Sequence, residues 1–226
     1  MHIPDGYLGP PTFITTNCAF VVLMAVASRR LKRSLQYRQI PLLAISSAFS
    51  FLVMMFNIPL PGGTTGHITG AALIALAIGP WAAFVSLSIV MIVQALLFGD
   101  GGVTAIGANS INIGFLASFG GFYCYQLFRK LIPTKFSKTF AALIAGWFSV
   151  NLSAFTTALT FGLQPLLHSD SFGRPLYAPF HLNIALPAMM LSHVFVVGVI
   201  EGLVTGLAVY YLEKSNFKWV LNETSS

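Results

Sequence analysis

Charged residues are scarce in this sequence. Only 8% of its 226 residues are Asp, Glu, Lys or Arg, against about 25% in an ordinary soluble domain. None occurs from Gln39 to Gly99, from Gly101 to Phe128 or from Thr139 to Ser169. So few charges cannot cover the surface of a soluble domain, and lipid must cover it instead. A membrane-spanning helix needs about 20 apolar residues, so these stretches each hold one or two crossings.

Several signatures of other protein classes are also missing. The two cysteines, Cys18 and Cys124, lack zinc-ligand spacing and are interpreted as buried membrane thiols. A GxxxxGK[ST] loop is absent, which excludes ATP binding by that route, and so is the HExxH motif of zinc proteases. Most of the basic residues behind the net charge of +6 lie in short loops beside apolar spans. This distribution is typical of the cytoplasmic loops of membrane proteins and does not indicate a nucleic-acid-binding surface.

The apolar stretches predict an all-α integral membrane protein, a single transmembrane domain over residues 1–226 that forms a bundle of about seven helices. The third predicted helix has roughly 12 residues and is too short to span the bilayer alone. We expect it to be extended by the preceding loop or packed inside the bundle. The predicted helices cover about 11–27, 40–56, 67–78, 81–98, 104–128, 139–163 and 184–212.

The distribution of Lys and Arg predicts the orientation of these helices. Basic residues cluster in 29–38, in 129–138 and in 214–218, and loops rich in Lys and Arg stay in the cytoplasm. Seven crossings then place the N-terminus, the 59–66 loop, the 99–102 turn and the 164–183 loop outside. The sequence opens with MHIPDGYLGPP, which does not resemble a cleavable signal. We therefore expect residues 1–10 to form an extracytoplasmic N-terminal segment.

The first two residues can chelate a metal ion. The Met1 amine, the His2 amide nitrogen and the His2 ring nitrogen Nδ1 would close a five-membered and a six-membered ring around one ion. His67 follows a glycine-rich segment on the same outer side and could supply a fourth nitrogen. Square-planar nitrogen coordination favours Cu(II) or Ni(II). The alternative for His67 is a capping or hydrogen-bonded histidine.

Other polar residues could support such a site. Asn109 and Gln94 lie in apolar helices, where they could orient the ligands or form ordinary interhelical hydrogen bonds. Asp5 and Asp100 are predicted to lie outside, where they could attract cations or hold the N-terminal segment. Four further residues are interpreted as solvated loop histidines or as structural partners within the last helix: His168, His181, His193 and Glu201.

Three segments of the chain resemble a known family: MHIPDGYLGPP, PGGTTGHITGAALIALAIGPWAA and FGDGGVTAIGANSINIGF. They are similar to the membrane substrate-binding subunits of nickel and cobalt energy-coupling-factor transporters, the CbiM/NikM family. The resemblance implies that Met1, His2 and His67 are the metal ligands and that the N-terminal segment inserts into the bundle. It also implies a transmembrane coupling subunit, cytoplasmic ATPase subunits and a small accessory membrane subunit, none of which the sequence shows.

The expected function is that of a non-enzymatic, multi-pass protein in the inner membrane of a prokaryote. It would bind Ni(II) on the outer side as its transported substrate, need no cofactor, and release the ion inward with a partner ATPase module. The alternatives are the same role for cobalt, a self-contained metal carrier or channel, and a structural membrane subunit in which the histidines only hold the fold. A carrier would call for charged residues along a pathway, and only Glu201 is available.

Overall fold

The computed structural model describes residues 1–34, 40–60, 64–132 and 137–215. Within these ranges the chain is an all-α membrane protein with one small hairpin. Several residues used in the sequence predictions lie outside the described residues: Arg38, Gly62, Gly63, Lys135 and Lys218.

The helices follow the apolar stretches of the sequence. Three of them contain π-helical segments, called π1 to π3, in which backbone hydrogen bonds join residues five positions apart instead of four. The elements in chain order are α1 (Pro10–Ser34), α2 (Ile40–Met54), β1 (Ile58–Leu60), β2 (Thr64–Gly66), α3 (Ala71–Ile78), α4 (Pro80–Val93), π1 (Gln94–Phe98), α5 (Ile106–Asn109), π2 (Ser110–Leu116), α6 (Ala117–Leu131), α7 (Ser137–Gly162), α8 (Gln164–Leu167), α9 (Leu182–Ser192), π3 (His193–Val197) and α10 (Gly198–Lys214).

Among the described residues, four helices are long and apolar enough to cross a membrane. They cover Pro10–Lys32, Pro80–Phe98, Ser137–Leu167 and Leu182–Lys214. Large apolar side chains such as Val21, Leu97 and Phe195 are exposed on the outside of the bundle, where a bilayer would cover them. The chain is therefore a multi-pass membrane protein.

All seven predicted helices are present, but two details of the prediction were wrong. The third helix begins at Ala71 instead of His67. Gly70 has a left-handed backbone with φ of 70°, which ends the preceding segment and sets the start of α3. The turn-rich segment before it also forms a hairpin, in which Pro59 pairs with Thr65. His67 consequently lies in a non-helical stretch between β2 and α3.

The cysteine interpretation also needs a correction. Both cysteines are free thiols within the described ranges, but Cys18 is exposed on α1, and only Cys124 is partly covered. Only a small share of α1 is buried by the rest of the protein. Cys18 therefore lies on a face that other helices leave open.

Helices α7 and α10 form the closest pair in the bundle. A Cβ on Gly146 of α7 would lie 2.8 Å from the carbonyl oxygen of Glu201, and a Cβ on Gly202 of α10 would lie 2.8 Å from that of Leu143. Small residues allow helix backbones to approach in membranes. The short helix α3 is buried on most sides, as expected for a helix packed inside the bundle.

Candidate metal centre

The N-terminus of the chain is buried inside the protein. Met1 is only 5% exposed and Ile3 only 1%. The Met1 amine donates a hydrogen bond to the carbonyl oxygen of Thr65 at 3.0 Å. Burial lowers the pKa of this amine to about 5, against a weaker opposing effect of Asp100. The amine is therefore neutral at pH 7, and its lone pair is available to a metal ion.

His2 and His67 lie side by side next to this amine. Their ring centroids are 4.7 Å apart and their planes are tilted by 36°. The Nδ1 of His2 donates to Asp100 Oδ1 at 2.9 Å, and the Nδ1 of His67 faces the carbonyl oxygen of Ile68 at 3.4 Å. Since each ring has its hydrogen on Nδ1, each Nε2 carries a lone pair. Both Nε2 atoms are buried without a hydrogen-bond partner in the described part of the chain.

The charge state of both rings suits metal binding. Burial is the main cause that lowers the pKa of His2, and it holds the pKa of His67 well below its ordinary value, with smaller contributions from His2 and the terminal amine. Neutral imidazole is the form that binds metal ions. The hydrogen bond from His2 lowers the pKa of Asp100, so this carboxylate stays ionised beside the site.

The geometry differs in one atom from the chelate predicted by the sequence. That chelate uses His2 Nδ1, which here contacts Asp100, so it requires the ring to turn about its Cβ–Cγ bond. His2 Nε2 and His67 Nε2 are free without any turn. The described residues contain no group of three His, Cys, Asp or Glu side chains suited to a metal. A site here therefore depends on backbone nitrogen as well as on side chains.

A set of hydrogen bonds fixes the first residues of the N-terminal segment. Asn109 accepts from the Ile3 amide at 2.9 Å and donates to the Ile3 carbonyl at 3.0 Å. Asp5 accepts from the backbone N–H groups of Val103 and Thr104 at 3.0 and 2.9 Å. Asn109 and Asp5 thus hold the segment on both sides of Pro4.

The turn after π1 approaches His2 closely. Gly101 has a φ of 90°, and a Cβ there would lie 3.3 Å from the His2 Cβ. The same turn carries Asp100, whose N–H donates to the Gln94 carbonyl at 3.1 Å. The Gln94 side chain is fully buried and makes no hydrogen bond among the described residues. The backbone of Gln94 thus holds the turn that carries Asp100, and the supporting role of its side chain stays a prediction.

A second contact region holds the end of the N-terminal segment. Gln164 accepts from the Gly9 amide at 2.9 Å, and Tyr7 accepts from the Ala178 amide at 3.2 Å. The ring of His168 lies against Gly9, so closely that a Cβ on this glycine would overlap it. The sequence predictions missed Gln164 and Thr65, because both act through contacts with residues far away in the chain.

The stretch that carries His67 is anchored from the last helix. The Glu201 carboxylate accepts from the backbone N–H groups of Thr69 and Gly70 at 2.7 and 2.8 Å, and from the Thr69 hydroxyl at 3.2 Å. Ser50 donates to the Thr69 carbonyl at 2.7 Å. These bonds fix the two residues that precede α3, and Glu201 therefore acts as a structural partner.

The site borders a cavity of about 280 Å³. Met1 and His2 line one side of it, and Ile184, Ala188 and Met189 of α9 line the other. The cavity reaches the terminal residues from the side of the 164–183 loop. His181, at the start of α9, is exposed.

Comparison with known proteins places this arrangement in context. The chain is 42% identical over 217 residues to the fused nickel transport protein NikMN of Rhodobacter capsulatus, which covers 96% of this chain and 62% of that protein. A second fused relative, LarMN of Lactiplantibacillus plantarum, is 40% identical, and the chain spans 65% of its length. The cobalt transport protein CbiM of Lachnoclostridium phytofermentans is 30% identical, over 88% of this chain and 82% of that protein.

Solved structures agree with these relatives. The crystal structure of a truncated transition metal transporter matches with a TM-score of 0.91 and 47% identity, over 95% of this chain and 99% of that chain. The crystal structure of a transition metal transporter matches with the same TM-score and 46% identity over the whole of this chain. The family model described as the cobalt uptake substrate-specific transmembrane region matches residues 2–219. The chain therefore belongs to the CbiM family.

Proposed function

We propose that this chain is the substrate-specificity component of an ATP-driven, energy-coupling-factor type nickel importer. It binds Ni(II) on the outer side of the inner membrane and releases it inward with a partner ATPase module. The observation that carries the proposal is the burial of a neutral terminal amine beside two histidines with unpartnered nitrogens. Ionisable groups are seldom buried in a membrane protein without a use, and the end of a chain is usually poorly ordered unless contacts tie it down.

The ligands of the transported ion would be four nitrogens: the Met1 amine, the His2 amide, one His2 ring nitrogen and His67 Nε2. A set of this kind in one plane suits Ni(II). The amide loses its proton on binding, so the affinity falls as the pH falls. Asp100 keeps a negative charge within 2.9 Å of the His2 ring, which offsets part of the positive charge that the ion brings.

The proposed orientation places the N-terminus outside. The loops that meet at the site are 64–70, 99–104 and 164–178, and the only Lys or Arg in them is Arg174. The basic residues at the end of α1, at the end of α6 and at the end of α10 belong to the opposite, cytoplasmic side. An ion captured at the site would then come from outside the cell.

Partner subunits supply the driving force in this proposal. The chain lacks a phosphate-binding loop, so hydrolysis of ATP belongs to other chains: a transmembrane coupling subunit, ATPase subunits and a small accessory membrane subunit. Two relatives carry additional sequence fused to the region that this chain matches, which supports a function within a larger assembly.

Cobalt is the second candidate substrate. The family description names cobalt uptake, and so does a relative that is 30% identical. Two relatives of 42% and 40% identity are named for nickel, and we assign nickel on that basis. Nitrogen ligands accept both ions, so the two substrates are distinguished by measurement of both affinities.

The test compares His67→Ala with His181→Ala in the full-length purified protein. We expect His67→Ala to weaken Ni(II) binding by roughly 100-fold, about 2.8 kcal/mol, because it removes one of four ligands. His181 is exposed at the start of α9 and is not one of the four proposed ligands, so His181→Ala should bind as the native chain does. Equilibrium dialysis with Ni(II) and Co(II) in turn gives the affinities. Equal binding by both variants would contradict the proposed site.

A further inference from the structure

A third buried histidine lies beside the candidate site. His193 is the first residue of π3 and is fully buried. Its Nδ1 donates to the Met189 carbonyl oxygen at 2.8 Å, one turn earlier in the helix. This bond fixes the hydrogen on Nδ1, so Nε2 carries the lone pair. Within the described ranges, no group donates a hydrogen bond to that Nε2.

The free nitrogen of His193 faces the strand that leads to His67. It lies 3.6 Å from the point that a Cβ on Gly66 would occupy. Val197 and Leu60 crowd the same point, so π3 and β2 pack too closely there for any side chain at position 66. Because Gly66 directly precedes His67, the His193 Nε2 lies next to the backbone that carries a predicted metal ligand.

The energetics favour a ligand role over a purely structural one. A buried nitrogen without a hydrogen bond lowers stability, and the bond to Met189 already fulfils a structural role for Nδ1. Segments of π-helix are frequent at functional sites, and π3 begins at this histidine.

More unpartnered polar atoms continue from His193 along the seam between α7 and the π3–α10 helix. Asn151 Oδ1 and Thr205 Oγ1 are buried there without a hydrogen-bond partner among the described residues. The Asn151 amide lies against Gly198, and Thr205 lies against Gly146. Thr205 is three helical turns beyond His193, away from the end of the bundle that holds Met1. Oxygen atoms at these positions can accept a cation that has left its nitrogen ligands.

We propose that His193 Nε2 is a transit ligand that takes the ion from His67 on its way into the α7–α10 seam. This inference rests on the proposed function and extends it to a second, inner position. The capture ligands hold the ion while the N-terminal segment is in place. Once the amine withdraws, His67 and His193 together would hold the ion more weakly, before it passes toward Asn151 and Thr205.

The experiment uses the full-length chain with one glycine inserted before Met1, which moves the amine out of the capture site. Binding of Ni(II) and Co(II) is measured by equilibrium dialysis, and the absorption spectrum of bound Co(II) reports its ligands. We then add His193→Asn, since the Asn amide can still donate to Met189 but lacks the second nitrogen. His168→Asn is the matched control, because His168 Nε2 is also buried and unpartnered but lies on the far side of the N-terminal segment.

We expect the chain with the inserted glycine to keep a weak binding site for the ion. Adding His193→Asn to that chain should lower the affinity of the weak site at least tenfold, about 1.4 kcal/mol, and change the Co(II) spectrum. His168→Asn should change neither. In the chain without the insertion, His193→Asn should leave capture affinity within about threefold, less than 0.7 kcal/mol. Thermal unfolding checks that each variant is folded.

Two results would overturn the inference while leaving the proposed function intact. In both, the native chain binds the ion. In the first, the chain with the inserted glycine has no weak binding site, and in the second it has a weak site whose affinity His193→Asn does not change. A native chain that binds neither ion would overturn the proposed function, and the transit ligand with it.

Discussion

At the scale of single residues, the site consists of ordinary groups in unusual surroundings. A terminal amine usually lies in water with a pKa near 8, but here it lies beside Thr65 with a pKa of about 5. His2 and His67 likewise lose their charge through burial. The sequence allowed these three groups to be predicted, since a chelating pair and a histidine after a glycine-rich segment are visible in it. It did not show the Thr65 or Asp100 contacts, which join residues more than 60 positions apart.

The buried amine predicts a pH dependence of stability. The amine has a folded pKa of about 5 and an unfolded value of 8.0. The stability that this amine contributes is fully present above pH 8. It is lost as the pH falls toward 5, because the unfolded chain then binds a proton that the folded chain does not bind. Between pH 7 and 8 the metal-free native chain should gain about 1 kcal/mol, measured by denaturant unfolding in detergent.

The chain with a glycine before Met1 is the control for this pH dependence. Its amine no longer lies in the buried position, and histidines have unfolded pKa values near 6.5, so they barely titrate in that range. The gain between pH 7 and 8 should therefore disappear. A native chain with no gain over the same range would show that the amine is solvated.

Two glycines in one turn give a matched pair of variants. Gly99 and Gly101 both have positive φ, but a Cβ on Gly101 would meet His2, whereas one on Gly99 has no neighbour within 4 Å. Alanine in a left-handed conformation costs about 1–2 kcal/mol at either position. Only Gly101→Ala should also displace His2 and weaken Ni(II) binding, by roughly tenfold or more. Titration calorimetry measures the Ni(II) affinity of both variants. Equal affinities would show that the turn does not determine the position of His2.

At the scale of elements, the helices were predictable and the connection into α3 was not. Charge-free stretches identify each helix because lipid-facing and core-facing residues are both apolar. The start of α3 at Ala71 depends on Glu201, which accepts the hydrogen bonds of Thr69 and Gly70. That partner lies 131 residues away in the sequence. Local patterns carry no information about such a contact, so the predicted start at His67 was wrong.

The role of Glu201 leads to a prediction about the element that carries His67. In Glu201→Gln, the amide nitrogen cannot accept a hydrogen bond, so one backbone donor of Thr69 or Gly70 loses its partner. This should lower the free energy of unfolding by about 1–3 kcal/mol and weaken Ni(II) binding, since the His67 segment loosens.

The control is Glu213→Gln, which makes the same chemical change near the end of α10. Glu213 pairs with Lys138 at 2.7 Å in a partly exposed position, where loss of the pair should cost at most about 1 kcal/mol. Its metal affinity should match that of the native chain. If Glu201→Gln behaves like Glu213→Gln in both assays, the hydrogen bonds of Glu201 contribute neither to the free energy of unfolding nor to metal affinity.

At the scale of the whole molecule, contacts from distant parts of the chain gather at one end of the bundle. Met1 contacts Thr65, His2 contacts Asp100, and Gly9 contacts Gln164. The charge pattern had placed these loops on one side of the membrane, and the contacts agree that they meet. The N-terminal segment thus closes this end of the bundle with the terminus that we propose to bind metal, while α7 and α10 form a close-packed seam behind it.

The most direct test of the central claim moves the amine and changes nothing else. One glycine inserted before Met1 keeps every side chain, and both chains are purified in detergent and titrated with Ni(II) at pH 7.5. We predict that binding weakens by roughly 100-fold, about 2.8 kcal/mol, while thermal unfolding shows a folded protein. Equal affinity of the two folded chains would show that the terminal amine is not a ligand.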